Sequence, residues 1–201
     1  MKRFFDIVAS GIGLVVLLPV LVLVALAVVV NSGLPVFFRQ MRAGKGGRDF
    51  RLMKFRTMSV LKAAERGTFE AGSARRVTAV GRILRKTKLD ELPQLWNVLL
   101  GDMSLVGPRP EVRKWVEEYP ERWAWGIPYD QGITDPASIL YRNEEELLAA
   151  SPDPERMYRE EILPRKLQCY EAYVRDRSFC GDLGILFRTV WVVVGFEQHK
   201  N

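Results

Sequence analysis

The 201 residues suit one domain with a small appendage and are enough to bury a core. Lys and Arg total 30 against 24 Asp and Glu, and the resulting +6 balance suits phosphate-bearing partners such as nucleotides, nucleic acid or anionic lipid. Two cysteines outside any metal or CxxC spacing and one histidine, His199, argue against a zinc site and histidine-based catalysis; Cys169 and Cys180 are expected as reduced thiols in a cytosolic compartment.

The first element is an almost unbroken apolar run from Ile7 to Val30. As a straight helix it reaches the roughly 20 residues a bilayer requires. It is too long for the apolar part of a cleaved signal peptide. Pro19, near its middle, removes a backbone hydrogen bond and predicts a kink. Lys2 and Arg3 precede the run, and Arg39, Arg42, Lys45, Arg48, Arg51, Lys54 and Arg56 follow it. Positive residues favour the cytoplasmic side. A single crossing must export one cationic end, whereas a helix that bends at Pro19 and returns keeps both inside.

Val36-Phe-Phe38 reads as a short strand or an interfacial anchor, Arg42 to Arg48 as a glycine-rich turn, and Phe50 to Met58 as a strand carrying Lys54 and Arg56. Leu61 to Arg76 reads as a short helix and a mobile loop. Val77 to Lys88 is predicted to be an amphipathic helix with Arg82, Arg85 and Lys86 on its polar sides. It suits either a membrane surface or a core with a solvated basic face.

Lys88-Leu-Asp-Glu-Leu-Pro-Gln-Leu-Trp96 then places two adjacent carboxylates, Asp90 and Glu91, at an expected helix start. Asp90 is predicted as the N-cap, with Pro93 in the first turn. The aromatic stretch from Trp115 to Tyr129, including Trp123 and Trp125, suits either headgroup depth or the core. Asn143–Ala150 and Pro154–Arg175 read as charged helices. Asp182–Phe196 reads as a last apolar helix, too short for a comfortable span and expected to pack on the domain or along the membrane. His199 lies at an expected frayed terminus.

The chemistry points to the carboxylate pair. An acidic dyad framed by Arg82, Arg85, Lys86, Lys88 and Arg109 is a poor nucleic-acid surface. It suits holding a phosphorylated substrate while a carboxylate attacks it. Arg109, between two prolines, is preset to fork onto a phosphate. An anionic nucleophile attacking an anionic phosphorus needs such cations and a divalent metal, and carboxylate oxygens suit Mg²⁺.

Met53-Lys-Phe-Arg-Thr-Met58, the block from Leu89 through Asp-Glu-Leu-Pro-Gln to Gly107-Pro-Arg-Pro110, and the hydrophobic N-terminus closely resemble the bacterial sugar transferases, the small monotopic phosphoglycosyl transferases that start glycoconjugate assembly. The resemblance covers nearly the whole chain. It implies transfer of sugar 1-phosphate from a UDP-sugar to undecaprenyl phosphate, with Asp90 as nucleophile and Mg²⁺ ligand. Glu91 is implied as acid/base partner or positioner. Arg85 and Arg109 match phosphate-binding positions, and Lys54 and Arg56 match the family's basic strand. The implied fold is α+β and mostly helical. A re-entrant membrane hairpin occupies residues 1–34, and a cytosolic catalytic domain with amphipathic interfacial helices occupies 35–201. The implied location is the cytoplasmic face of the bacterial inner membrane, with membrane lipid as a partner, no nucleic acid, and a homodimer left open.

Two departures stand out. Leu18 precedes Pro19 where many members have Ser, and Gly132-Ile-Thr-Asp-Pro-Ala-Ser138 stands where many carry Ile-Thr-Gly. They suggest a sub-branch with its own sugar preference. Without extra spans or a fused domain, the chain is expected to be a minimal catalytic form. The competing readings are direct attack by the lipid phosphate without an enzyme adduct, and a basic peripheral membrane-binding module without catalysis.

Overall fold

The structure, a computed structural model, describes residues 1–59, 76–123 and 129–195. The expected helix and loop at 61–76 lie almost wholly outside the described residues, and so do Trp125 and His199. The described chain is mostly helical with two small sheets, as the α+β reading expects.

Two helices of 15 residues, α1 (Lys2–Val16) and α2 (Leu18–Ser32), form the N-terminal segment and are bent by 62°. The break falls at Leu17, two residues ahead of Pro19. A proline ring inside a continuous helix would strike the carbonyl four residues back, so α1 ends and Pro19 sits in the first turn of α2, where no N–H is required. No single helix among the described residues is long and apolar enough to cross a membrane; the bent pair passes by length and composition together.

Strands β1 (Phe37–Ala43) and β2 (Asp49–Phe55) form an antiparallel hairpin, with Phe37 opposite Phe55 and Ala43 opposite Asp49. β1 is longer than the Val36–Phe38 expectation and absorbs Arg42 from the predicted turn. The turn itself is Lys45–Gly47, where Gly46 and Gly47 take positive φ.

Helix α3 (Ala79–Thr87) starts at Thr78, whose hydroxyl accepts from the Gly81 N–H, and ends on Lys88 in left-handed conformation. A 3-10 turn, Leu89–Glu91, leads to α4 (Gln94–Leu100). The N-cap of α4 is Pro93 and has no side-chain bond. The predicted capping role of Asp90 is therefore wrong. The tight turn places its carboxylate short of the α4 N–H groups and leaves it unspent.

Strand β3 (Ser104–Val106) pairs in parallel with β4 (Gly132–Thr134). Gly107 and Gly132 permit this contact, since a Cβ on Gly132 would overlap the Gly107 backbone. Between the strands lie α5 (Arg113–Glu118) and α6 (Pro120–Trp123). After β4 come α7 (Pro136–Leu140), α8 (Glu144–Ala150) and α9 (Pro154–Met157). A π-turn at Tyr158–Ile162 runs into α10 (Leu163–Asp176), and α11 (Phe179–Val194) closes the chain.

Three clusters form the core. Trp115, Trp123, Tyr158, Leu163 and Tyr170 fill one, which resolves those two tryptophans as core residues and not headgroup anchors. Phe50, Leu52, Val98 and Val106 fill the second beneath α1. Val24 and Val28 of α2 pack on Phe55 and Leu84 in the third. α11 starts three residues earlier than predicted, with Ser178 as its cap, and leaves Phe187, Val190 and Trp191 exposed.

Candidate active site

A pocket of about 390 Å³ opens between the turn at Leu89–Glu91, the ends of β2 and β4, and the faces of α7, α8 and α11. It brings together five of the six residues singled out from sequence: Lys54, Arg85, Asp90, Glu91 and Arg109. The elements explain the convergence. Lys88 in left-handed conformation reverses the chain after α3, so that Asp90 and Glu91 follow in a turn beneath β2. A non-glycine residue in that conformation stores a little strain, of the kind found at functional sites. β3 then delivers Arg109 from the other side.

The two carboxylates have different surroundings. Glu91 is engaged on both sides. Its Oε1 accepts from Lys54 Nζ at 2.8 Å and from Arg109 Nη2 at 2.5 Å, and its Oε2 accepts from Arg109 Nη1 at 3.2 Å. Burial alone would raise its pKa. The charges of Arg109 and Lys54, with the Arg109 hydrogen bonds, outweigh burial and hold it well below the usual carboxylate range. Burial pulls Lys54 downward against the opposing charge of Glu91, while Glu91 keeps Arg109 firmly protonated despite its burial.

Asp90 is only 6% exposed, and its Oδ1 has no hydrogen-bond partner among the described residues. Burial is the main cause that pushes its pKa from 3.8 up to about 6; Lys54 opposes this and Glu91 adds to it. It remains largely ionised at neutral pH. A buried carboxylate without hydrogen bonds is costly to keep, and such groups cluster where chemistry needs them.

Arg85 reaches the same pocket, with Nε bonded to Thr57 Oγ1 at 2.9 Å and Nη1 to Glu145 Oε2 at 3.0 Å. Glu145 is well exposed, so a phosphate can displace it cheaply. Arg56 is the exception. Its Nη2 donates to Ser32 O at 2.7 Å, Gly33 O at 2.6 Å and Ser32 Oγ at 2.9 Å, capping the C-terminus of α2. Arg56 lies one residue past the end of β2, and these bonds draw its guanidinium to the end of α2, outside the pocket, so the structure places it as an anchor for α2 and not at the expected phosphate contact.

A family model described as bacterial sugar transferase matches residues 1–196. The chain belongs to the bacterial sugar transferase family. It is 35% identical to a UDP-N-acetylgalactosamine-undecaprenyl-phosphate N-acetylgalactosaminephosphotransferase of Aeromonas hydrophila, over 97% of this chain and 44% of that protein. It is 36% identical to a UDP-glucose:undecaprenyl-phosphate glucose-1-phosphate transferase of Klebsiella pneumoniae, over 94% and 39% respectively. An uncharacterized sugar transferase of Bacillus subtilis is 43% identical over all of this chain and 92% of its own length. The chain thus spans about two fifths of the first two relatives.

Within this family frame, the sequence reading missed a second buried network behind Arg109. Glu111 accepts from Tyr158 Oη at 2.7 Å and lies 3.6 Å from Lys166 and 3.7 Å from Arg42. Arg42 Nη1 also donates to Pro110 O at 3.2 Å. Lys166 and Arg42 hold Glu111 below its usual pKa against burial, and the segment carrying Arg109 is fixed from behind. Lys166 had a readable signal. It shares the spacing of Leu163, Leu167 and Tyr170, so a cation stands on the apolar face of α10.

Magnesium binds through one or two carboxylates together with substrate phosphate oxygens. Asp90 fits that pattern through its unpartnered Oδ1, whereas Glu91 is consumed by its cations. No group of three or more His, Cys, Asp or Glu able to hold a metal occurs among the described residues.

Proposed function

We propose that this chain transfers sugar 1-phosphate from a UDP-sugar to undecaprenyl phosphate through a covalent adduct on Asp90, at the cytoplasmic face of a bacterial inner membrane. The observation that carries this is the unequal state of the dyad: Glu91 spent on two cations, Asp90 buried, unbonded and open to the pocket. Family membership and the printed activities of the relatives support the substrate class.

In the first step an Asp90 oxygen attacks the β-phosphorus of the UDP-sugar. The bond from that phosphorus to the bridging oxygen breaks, and UMP leaves with the electron pair. In the second step an oxygen of undecaprenyl phosphate attacks the same phosphorus. Asp90 leaves as a carboxylate, and undecaprenyl diphosphate sugar is the product. Arg109 and Lys54, held by Glu91, and Arg85 with Lys88 offset the charge on the phosphates. Glu91 positions these cations; its depressed pKa removes it from proton transfer. Mg²⁺ held by Asp90 and the phosphates would supply further charge relief.

The membrane reading rests on attachment. Lys2 and Arg3 at the start of α1, and Ser32 and Gly33 at the end of α2, all bond to the same domain. This favours a bent segment dipping into one leaflet, with its apolar flank in lipid.

The test is to incubate the protein with Mg²⁺ and UDP-sugars labelled at the β-phosphorus, without acceptor. Label should enter the protein with release of one UMP per enzyme, undecaprenyl phosphate should remove it, and Asp90→Asn should take none. Turnover without acceptor-free UMP release would replace the adduct by direct attack. Vesicle binding with no turnover of any nucleotide sugar would leave a membrane-binding module.

A further inference from the structure

The dyad end of the pocket is electropositive, but its α8 wall is not. Glu144, on the first turn of α8, lines the pocket beside Tyr141 and Lys166. Its Oε2 accepts from Lys166 Nζ at 3.0 Å, while its Oε1 bonds to no described residue. Lys166 is 4% exposed and reaches Tyr158 Oη at 3.4 Å and Glu111 at 3.6 Å. Its charge is thus matched from both sides. Glu111 is shared between Lys166 and Arg42, so Glu144 balances the second cation through its Oε2 while its Oε1 is left for a ligand in the pocket.

We propose that Glu144, held in place by Lys166, accepts hydrogen bonds from hydroxyl groups of the transferred sugar and so selects the nucleotide sugar used. This rests on the reaction proposed above. Charge sorts the alternatives. A carboxylate oxygen repels the phosphates, which belong with Arg109, Lys54 and Lys88. It also suits uracil poorly, because the single N–H of that ring is flanked by two carbonyl oxygens that the carboxylate would repel. Neighbouring sugar hydroxyls present two O–H donors to one carboxylate, a charge-assisted pairing. Sites built to bond a substrate hydroxyl discriminate strongly against analogues that lack it or misplace it.

The experiment compares the unsubstituted chain with Glu144→Gln and Glu144→Asp, measuring UMP release from a panel of UDP-sugars that differ at single hydroxyl or acetamido positions. Gln keeps the shape and one acceptor toward Lys166; Asp keeps the charge but shortens the reach. The ratio of kcat/KM between the best donor and its epimers should change about tenfold in both variants, mainly through KM. Inhibition by UMP alone should stay within about twofold, and melting temperature should separate misfolding from altered choice. A uniform fall across all donors, or weaker inhibition by UMP in step with the donors, would overturn the sugar assignment. No UMP release by the unsubstituted chain from any donor would overturn the reaction itself, and this subsite with it.

Discussion

Replacing Asp90 by Asn should abolish the adduct and make the protein more stable. The folded chain holds this carboxyl at about 6 against an ordinary 3.8, chiefly because burial disfavours the charge. Each pKa unit corresponds to about 1.4 kcal/mol, so keeping Asp90 ionised at neutral pH costs the fold about 3 kcal/mol. Between pH about 4 and 6 the folded state binds more protons at this position than the unfolded state, so this contribution to stability falls as pH rises. Below that window both states are protonated and the cost vanishes. Glu91 and Glu111, with depressed pKa values, act in the opposite sense, so the acid response of either protein alone is mixed. The difference between Asp90→Asn and the unsubstituted chain isolates residue 90. That difference should be near zero at pH 4 and rise to about 3 kcal/mol by pH 7.5, or roughly 6–12 °C in melting temperature for a chain of this size. Thermal unfolding in detergent, followed by tryptophan fluorescence at both pH values, measures it. A variant that melts at or below the unsubstituted protein at pH 7.5 would refute the claim that Asp90 is a buried charge kept for chemistry.

Further outcomes follow from the same geometry. The kcat/KM for UMP release should fall as pH drops through about 6, and Glu91→Gln should move that limb to lower pH while reducing the rate, because Glu91 helps raise Asp90. Arg56→Ala should lower stability by about 1–3 kcal/mol, the worth of charged hydrogen bonds to α2, and leave the KM for nucleotide sugar unchanged; a large KM effect would restore Arg56 to the phosphates. Gly132→Ala should destabilise by several kcal/mol, since its Cβ would overlap the Gly107 backbone and part β3 from β4; circular dichroism melting detects it.

The sequence was most legible where residue type alone carried the chemistry. The cations around Asp90 and Glu91 converge because a turn, a strand end and a proline-flanked loop each fix one of them locally. Legibility failed where tertiary packing decides. Nothing local separates Lys54, on β2, from Arg56, one residue past its end and equally basic, yet one meets Glu91 and the other caps a helix distant in sequence. β3 and β4 were missed because three residues carry no readable period, and their pairing depends on a glycine contact across the intervening helices. Asp90 was misread as a cap because the Asp-before-helix pattern is common. Its actual turn, set by Lys88 in left-handed conformation, has no signature in residue type.

The N-terminal charges had two meanings, and only one was visible in sequence. Lys2 and Arg3 read as residues that choose a membrane side, but in the fold they are also fasteners. Lys2 Nζ donates to Asp182 at 2.5 Å and Val106 O at 2.7 Å, and Arg3 donates to Val98 O at 2.5 Å and Leu99 O at 3.0 Å. Asp6, buried in α1, accepts from Ser104 Oγ at 2.8 Å and the Leu105 N–H at 3.1 Å. Each helix of the bent pair is about 22 Å long, less than the roughly 30 Å hydrocarbon core. Exporting the start of α1 would break all six contacts, and those to charged groups are worth about 1.5–3 kcal/mol each. A cysteine placed before Met1, in a chain with Cys169 and Cys180 changed to Ser, should therefore react with an impermeant maleimide only once the inner membrane is opened. Retaining the exposed Cys180 instead gives the control for the domain's own side. Labelling of the N-terminal cysteine from outside intact cells would mean that these fasteners release in the membrane, and that the bent pair crosses it.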